Sequence, residues 1–408
     1  MTYASNAFGQ LRYIAEATRG VTPGSGNGVN LRQTGPSLKA KVKYLKSEEI
    51  RQDRLTTGAA LVDMDIDGGF NFELSCKEYD PFLCNLLGQS GFTHYGTNGL
   101  GTTFSLTTAS GSLTAAAAPT TTSAFTTLAA GSWIKVIPPA GATTAQKAYF
   151  ADAWFKVGST TSTVITLDAS TPVTGAGLGI TTTAGYAISQ SSIVNGSTFG
   201  SFTMEYALTD IGKFLPFRGM QVGNMDLNLD VGSMVKGSFG FIGQGHDGMV
   251  SATTLPGSPV ASQTLDPVNA VSDLGAIYEN GTSILGATSF IKSMKLSVNN
   301  NPRGQKALGI FGNAGVALGE LAISGTLDVY VENETYYNKW LAGTNTSLSV
   351  GVADAAGNGY IFDFDKIKFT DGGLTTQGRD DVMLSLPFEA FYNAATNRGI
   401  RITRSVAA

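Results

Sequence analysis

The chain has 408 residues, of which 42% are hydrophobic and only 14% are charged, with a formal net charge of −4. This length accommodates two or three domains with a large core. The weak acidic balance argues against a nucleic-acid clamp, because phosphate binding requires clustered Lys and Arg. Residues 1–20 hold no apolar signal-peptide core and no run of about 18 apolar residues occurs, so the sequence predicts neither a signal peptide nor a membrane-spanning helix.

In chain order, the first half begins with an arm and then strands. Gly and Pro punctuate residues 1–37, which we predict to be an extended N-terminal arm. Lysines at positions 39, 41 and 43, with apolar residues between them, predict a half-buried strand over residues 38–46. Apolar side chains then alternate with three aspartates in residues 61–74, and Gly68-Gly69 predicts the turn of a hairpin.

A short helix follows at residues 79–87. Asp80 suits its N-cap and Pro81 its first helical position, and a glycine ends it. Cys76 precedes this helix and Cys84 lies within it. Their spacing matches no disulfide or redox motif, which favours two free thiols in a reducing cytoplasm over a disulfide or redox pair.

Residues 89–190 differ in composition from the rest of the chain. They are rich in Thr, Ser, Ala and Gly, with short strand-like runs around Trp133 and Trp154. We predict a small inserted β domain there. Because insertions are best tolerated at exposed connections, we expect residues 102–190 to lie on the exterior and to be replaceable by a linker.

The order of elements before the insert recurs later in the chain. A strand, a polar loop, a second strand and a short helix stopped by glycine occupy residues 42–88, and the same series occupies residues 294–343. The fold prediction is therefore mainly β, with two tandem sandwich-type domains, each with a short flanking helix, plus the inserted β domain. The predicted boundaries are 1–37 for the arm, 38–88 plus 191–265 for the first domain, 89–190 for the insert, 266–393 for the second domain and 394–408 for a C-terminal tail.

Residues that carry chemistry are sparse. His94 and His246 have no Cys, Asp or His at metal-ligand spacing, and no nucleophile elbow or phosphate-binding loop occurs. We therefore predict no catalytic residue, no cofactor and no metal site, and we expect the protein not to be an enzyme. The acidic strands fit three interpretations, namely a solvated strand face, a calcium site, or an acidic wall facing a channel.

Several ordered segments resemble the tail tube (major tail) proteins of long-tailed bacteriophages. They are the loop at 47–54, the helix start at 79–83, the strand and loop at 201–220, the loop at 301–309 and the helix at 337–343. The resemblance covers most of residues 38–393. It implies β-sandwiches whose sheets join side by side into a closed barrel, in rings that stack into a tube.

What the resemblance implies about function is a structural virion protein of the phage tail, assembled in the host cytoplasm. DNA would pass through the lumen during ejection without specific binding, since an acidic wall repels phosphate. Implied partners are further copies of the chain and the tape measure, tail terminator and distal tail proteins. No membrane partner is expected.

Two sets of site residues follow from this interpretation. Candidate residues facing the lumen are Asp63, Asp65, Asp67, Asp226, Asp230, Asp363 and Asp365. Candidate contacts between rings lie on the loops at 45–60 and 299–320, which exceed the usual hairpin length: Glu48, Glu49, Arg51, Arg54, Arg303, Lys306, Ile310 and Phe311.

Alternatives remain open at this point. If each half of the chain fills one position of a six-position wall, the ring is a trimer with pseudo-sixfold symmetry; the rival is a hexamer in which one half lines the channel. Another tubular or shell component of a virion or secretion system shares this logic. A surface adhesin, fibre or sugar-binding β protein is the alternative from a different class.

Overall fold

The computed structural model describes residues 3–97, 99–119, 124–181, 183–284, 290–375 and 381–406. It confirms the mainly β prediction, with 48% of the chain in strands and 8% in helices. The elements before the insert are β1 Gly9–Glu16, β2 Val29–Asn30, β3 Gly35–Pro36, β4 Lys39–Lys46, β5 Ala59–Glu73, α1 Asp80–Leu86 and β6 Thr93–His94. Those of the insert are β7 Phe104–Ala109, β8 Ser112–Ala115, β9 Trp133–Ile137, α2 Thr144–Asp152, β10 Phe155–Thr160, β11 Val164–Leu167 and β12 Thr183–Ser189.

The remaining elements complete both halves. They are β13 Ser191–Val194, β14 Ser201–Leu208, β15 Lys213–Asp230, β16 Lys236–Gly243, β17 Gly245–His246, β18 Leu274–Glu279, β19 Thr282–Ser283, β20 Ile291–Asn299, β21 Arg303–Gln305 and β22 Gly315–Ala317. After them come β23 Ala322–Tyr330, α3 Thr335–Leu341, β24 Thr346–Ala353, β25 Gly359–Phe369, β26 Gly373–Thr375, β27 Met383–Ala390 and β28 Arg401–Ser405.

One antiparallel sheet runs through both halves of the chain, and we call it the long sheet. Its order is β4, β5, β16, β15, β20, β23 and β27, and the end of β25 together with β26 lies on the far side of β27. Apolar side chains alternate along the inner strands, so one face is buried against the core and the other is polar. At the edges the apolar face is open to solvent, since Val42 and Tyr44 of β4 are 50% and 61% exposed. The β15–β20 pairing joins the first half to the second.

The Gly68-Gly69 pair does not form the predicted hairpin turn. Both glycines lie inside the continuous strand β5, which pairs with β4 on one side and with β16 on the other. A Cβ atom at Gly69 would lie 1.8 Å from the carbonyl oxygen of Phe239, and one at Gly68 would lie 2.2 Å from that of Ser37. The pair is therefore a site of close backbone approach, a second role that glycine takes in strands.

The order of elements in the first half recurs in the second. Strands β4 and β5 precede α1 as β20 and β23 precede α3, and the hairpin of β14 and β15 corresponds to that of β24 and β25. Helix α3 is followed almost directly by β24, whereas the insert and β13 separate α1 from β14. Tyr79 rather than Asp80 is the N-cap of α1, and Pro81 is therefore the second helical residue, one position later than predicted but still in the first turn.

The insert forms its own closed barrel, in the order β10, β11, β8, β7, β12 and β9, around a separate apolar core. An apolar seam attaches this barrel to the second half, where Trp133 and Trp154 pack with Ala353, Ile361 and Tyr278. Both tryptophans are only 1% exposed. Replacing the insert by a linker would expose the second-half side of this seam to water. The replacement is therefore expected to destabilise the second half.

The two chain ends are more ordered than the sequence suggested. Residues 9–16 are not an extended arm but strand β1, paired along its whole length with β14. Residues 401–405 are not a tail but the buried strand β28, which lies between β13 and β25. Arg404 in this strand forms an ion pair with Asp80 and lies 4.8 Å from the ring centroid of Phe92.

Candidate assembly surfaces

The polar face of the long sheet carries ladders of opposite charge. Because β4 and β5 are antiparallel, Lys39, Lys41 and Lys43 lie directly opposite Asp67, Asp65 and Asp63. The same arrangement recurs elsewhere, since Lys236 lies opposite Glu73 and Lys368 opposite Glu389. Such cross-strand pairs stabilise a sheet modestly. The face is therefore charge-balanced rather than uniformly acidic.

Aspartates nearer the middle of the long sheet are held by neutral partners. The Ser297 hydroxyl donates to Asp226 at 2.7 Å, and the Asn224 amide donates to the same carboxylate at 3.1 Å. Asp328 accepts hydrogen bonds from Ser293 at 2.7 Å and from Ser385 at 2.8 Å. Sequence reasoning missed Asp328, although the alternation of Ser324, Thr326 and Asp328 with apolar residues marks it as part of the same polar face.

Two of the predicted lumen residues are not on this face. Asp363 is fully buried; it accepts a hydrogen bond from Ser349 at 2.6 Å and lies 3.7 Å from Arg398. Asp365 forms a 2.6 Å ion pair with the same arginine. These two carboxylates neutralise buried arginines inside the subunit, where they cannot line a channel. The period-two pattern of 363 and 365 did not reveal this, because the partners lie more than 30 residues away.

Arg401 belongs to the same buried cluster. Its guanidinium donates to the backbone oxygen of Gly131 at 2.8 Å, which ties β28 to the insert. Burial, and then the nearby charge of Arg398, lowers the pKa of Arg401 to about 10. The guanidinium is still charged at neutral pH, so the cluster of carboxylates and arginines is a structural contact between the insert and the second half.

The hairpin of β4 and β5 projects an exposed loop at residues 47–58. Glu48, Glu49, Arg51 and Arg54 are all exposed there. Arg51 forms a 2.8 Å ion pair with Asp53 of the same loop. The apolar side chains on this hairpin are also in water, with Ile50 102% and Leu55 69% exposed. A monomeric protein rarely leaves such side chains clustered in solvent.

The corresponding loop of the second half folds back on the first half. Lys306 forms ion pairs with Asp63 at 2.8 Å and with Asp65 at 2.7 Å. The hydrogen bond from Lys306 lowers the pKa of Asp63. Partial burial lowers the pKa of Lys306, but its hydrogen bonds to the two aspartates outweigh this and raise it. Lys306 thus contacts the subunit's own strand β5 rather than another ring.

The tip of this second loop is nevertheless exposed. Leu308 is 103%, Ile310 51% and Phe311 47% exposed, and Arg303 at its base is exposed as well. The flank of the loop is anchored by the Asn313 amide, which donates to the Gly243 oxygen at 2.7 Å. Both long loops therefore present apolar tips, one on a projecting hairpin and one on a docked hairpin.

Among the described residues, no group of three or more His, Cys, Asp or Glu side chains is placed to hold a metal ion. His94 contacts Ser191 at 2.8 Å, and His246 stacks on Phe217 at 4.5 Å. Cys76 and Cys84 are both buried and free, in line with the free-thiol interpretation. No helix in the described part of the chain has both the length and the apolar character needed to cross a membrane.

Comparison with known proteins identifies the family of the chain. A protein-family model described as "Phage tail tube protein" matches residues 9–390, which is nearly the whole chain. No curated protein matches the sequence. The family is one of structural tail proteins rather than enzymes.

Proposed function

This chain belongs to the phage tail tube protein family, and from that membership we propose that it is the subunit of stacked rings that form the tail tube, the conduit for DNA ejection into the host. The observation that carries the proposal is the long sheet, which is polar on one face and whose outermost strands, β4 and β26, have no further paired neighbour among the described residues. Joining such sheets around an axis removes their free edges, which would otherwise promote uncontrolled pairing.

Three copies per ring fit this sheet best. Both halves of the chain contribute strands to one continuous sheet, and β15 and β20 already join them by antiparallel pairing. Each copy would then fill two positions of a six-position wall, which gives threefold symmetry with a pseudo-sixfold lining. The rival hexamer would need one half of this sheet to turn away from the channel.

The polar face is the surface we assign to the lumen. Asp63, Asp65, Asp67, Asp226 and Asp230 lie on it. Most of its lysines lie opposite carboxylates, whereas Lys295 lies opposite Asn228 and Thr326. A wall on which most charges are paired offers a phosphate backbone neither a cluster of cations to bind nor a strong net field. DNA would pass over it without specific binding, a refinement of the purely acidic wall expected from the carboxylates alone.

The two loop tips are the surfaces we assign to the neighbouring ring. Burying Ile50 and Leu55 on one loop and Leu308, Ile310 and Phe311 on the other would remove exposed apolar area, worth about 25 cal/mol per Å². The charged residues Glu48, Glu49, Arg51, Arg54 and Arg303 would surround these contacts as a polar rim. The insert would lie outside the tube, on the side of the sheet away from the lumen.

The remaining partners follow from the place of the protein in the virion tail. A tape measure protein would occupy the lumen during assembly in the host cytoplasm, and tail terminator and distal tail proteins would meet the end rings. The proposed domains remain 38–88 plus 191–265, 89–190 and 266–393, now with β1 added to the first and β28 to the second.

Electron microscopy of the purified protein tests the proposal. Rings or tubes with a central channel are the expected result. Dispersed monomers across a range of concentrations and salt would contradict it and favour the surface adhesin or fibre. A ring with six copies would leave the tube function standing and refute the trimer.

A further inference from the structure

The hairpins of the two halves match residue by residue. In the first, Pro36 pairs with Phe70 and Lys39 with Asp67; in the second, Met294 pairs with Leu327 and Ser297 with Ser324. By this register, Leu38 corresponds to Leu296. A Cβ at Gly68 would meet the Ser37 oxygen at 2.2 Å, and a Cβ at Gly325 would meet the Lys295 oxygen at 2.4 Å. These two close backbone approaches occupy equivalent positions of the two hairpins, so the alignment of the hairpins does not depend on sequence identity.

The strands on the other side of the joint also match. Leu227 of β15 pairs with Gly237 of β16, and Leu374 of β26 pairs with Leu384 of β27. Gly237 in turn pairs with Phe72, and Leu384 with Val329, which are equivalent core positions of β5 and β23. Leu374 is therefore the counterpart of Leu227, and Asp371, three residues earlier, is the counterpart of Asn224.

Inside the chain, β15 of the first half pairs with β20 of the second half, and we call this pairing the internal joint. Leu227 pairs with Leu296 and Asn224 pairs with Asn299. Both leucines are 2% exposed. Their counterparts have no such partner among the described residues: β4 pairs only with β5, β26 pairs only with β27, and Leu374 is 50% exposed. The pairing of β15 with β20 is thus formed inside the chain. The corresponding strands β26 and β4 lie at opposite ends of the long sheet and do not pair with each other.

We propose that copies of this chain join with the register of the internal joint, so that β26 of one copy runs antiparallel to β4 of the next. Leu374 then lies opposite Leu38, and Asp371 opposite Lys41, of the next copy. The inference rests on the proposed function, since it needs copies that meet edge to edge. It goes further by naming the residues that face each other between copies. It also assigns one occupant, a second copy of this chain, to both edge strands, β4 and β26.

Charge and exposure support this register. Lys41 already contacts Asp67 within its own subunit, and in the joint it lies between two carboxylates. Leu38 is half-buried against the edge of the core, so Leu374 would extend the same apolar row across the boundary. A slip by one residue would turn every side chain of one strand to the opposite face, placing Leu374 on the polar side.

Disulfide trapping tests the register. Directly opposed residues of antiparallel strands have Cα atoms about 4.5–5.5 Å apart, within the range that a disulfide spans. The Leu38→Cys, Leu374→Cys double variant, oxidised after assembly, should convert the monomer band into covalent trimer on a non-reducing gel. The matched control, Leu38→Cys with Gly373→Cys, places the thiols on opposite faces and should leave monomer. The parent, with only its buried Cys76 and Cys84, should also remain monomeric.

A second pair of substitutions guards against a folding defect caused by replacing Leu38 and Leu374. Ser37→Cys with Thr375→Cys is the neighbouring opposed pair of the same register and lies on the polar face. Trimer from either matched pair, and none from the shifted control, supports the proposal. Rings visible by microscopy without covalent product, or equal product from matched and shifted pairs, would overturn the register alone. Absence of rings in the parent would overturn both the joint and the proposed function.

Discussion

Replacing Gly69 by alanine probes the close approach of β5 and β16. The new Cβ would lie 1.8 Å from the Phe239 oxygen and 2.8 Å from its carbonyl carbon, whereas real Cβ contacts essentially never fall below 3.0 Å. Both atoms belong to the backbone, so no side chain can swing aside. The two strands must separate locally by more than 1 Å, which breaks adjacent ladder hydrogen bonds.

The expected cost follows from these two effects. Losing one or two ladder bonds costs about 1 kcal/mol each, and forcing extra volume into a packed site costs about 1–3 kcal/mol. We expect the free energy of unfolding of the Gly69→Ala subunit to fall by about 3 kcal/mol, with a drop in Tm of about 5 °C.

Thermal unfolding of the unassembled subunit is the assay, and Gly58→Ala is the matched control. Gly58 lies beside the start of the same strand, and a Cβ there meets nothing within 4 Å. The control should stay within about 0.5 kcal/mol of the parent. If the two variants melt at the same temperature, Gly69 is not a site of close approach and the continuous strand β5 is wrong.

Three further predictions concern the loop tips, the seam and the polar face. Ile50→Glu, at a fully exposed tip, should leave subunit stability within about 0.5 kcal/mol but give single rings in place of tubes by electron microscopy, whereas Glu48→Gln should still give tubes. Trp133→Ala should lower the free energy of unfolding by about 3–5 kcal/mol, since it opens the seam beneath the insert; an unchanged denaturation midpoint would show that the insert is a loose decoration. The lowered pKa of Asp63 means that its contact with Lys306 stabilises the fold above the ordinary value of 3.8 and that this contribution is lost as pH falls through the folded-state pKa. Lys306→Met should therefore flatten the acid limb of the stability curve; an acid limb identical to the parent's would contradict this.

Local patterns in the sequence were sufficient to locate the strands and helices whose formation depends on residues close in the chain. Alternation located β4 and β5, and Pro81 with the following apolar run located α1. The recurrence of strand, loop, strand and helix predicted the repeated order of elements. These signals depend on periodicity and local backbone preferences, which a single sequence displays directly.

Long-range pairing accounts for what the sequence did not reveal. Gly68-Gly69 has the composition of a turn, and only the approach of Ser37 and Phe239 from both sides explains its place in a strand. In the sequence, the spacing of Asp363 is that of a surface carboxylate. In the structure it is buried beside Arg398, which lies near the end of the chain. The lysines of β4 neutralise the aspartates of β5 only in the observed register.

We propose that copies of this chain close into three-membered rings that stack into a tube lined by the long sheet. A cryo-EM reconstruction of the assembled protein measures this directly. We expect three copies per ring, β4 paired with β26 of the next copy, and the polar face with Asp65, Asp67 and Asp226 toward the channel. Six copies per ring, or a channel lined by the insert, would contradict it.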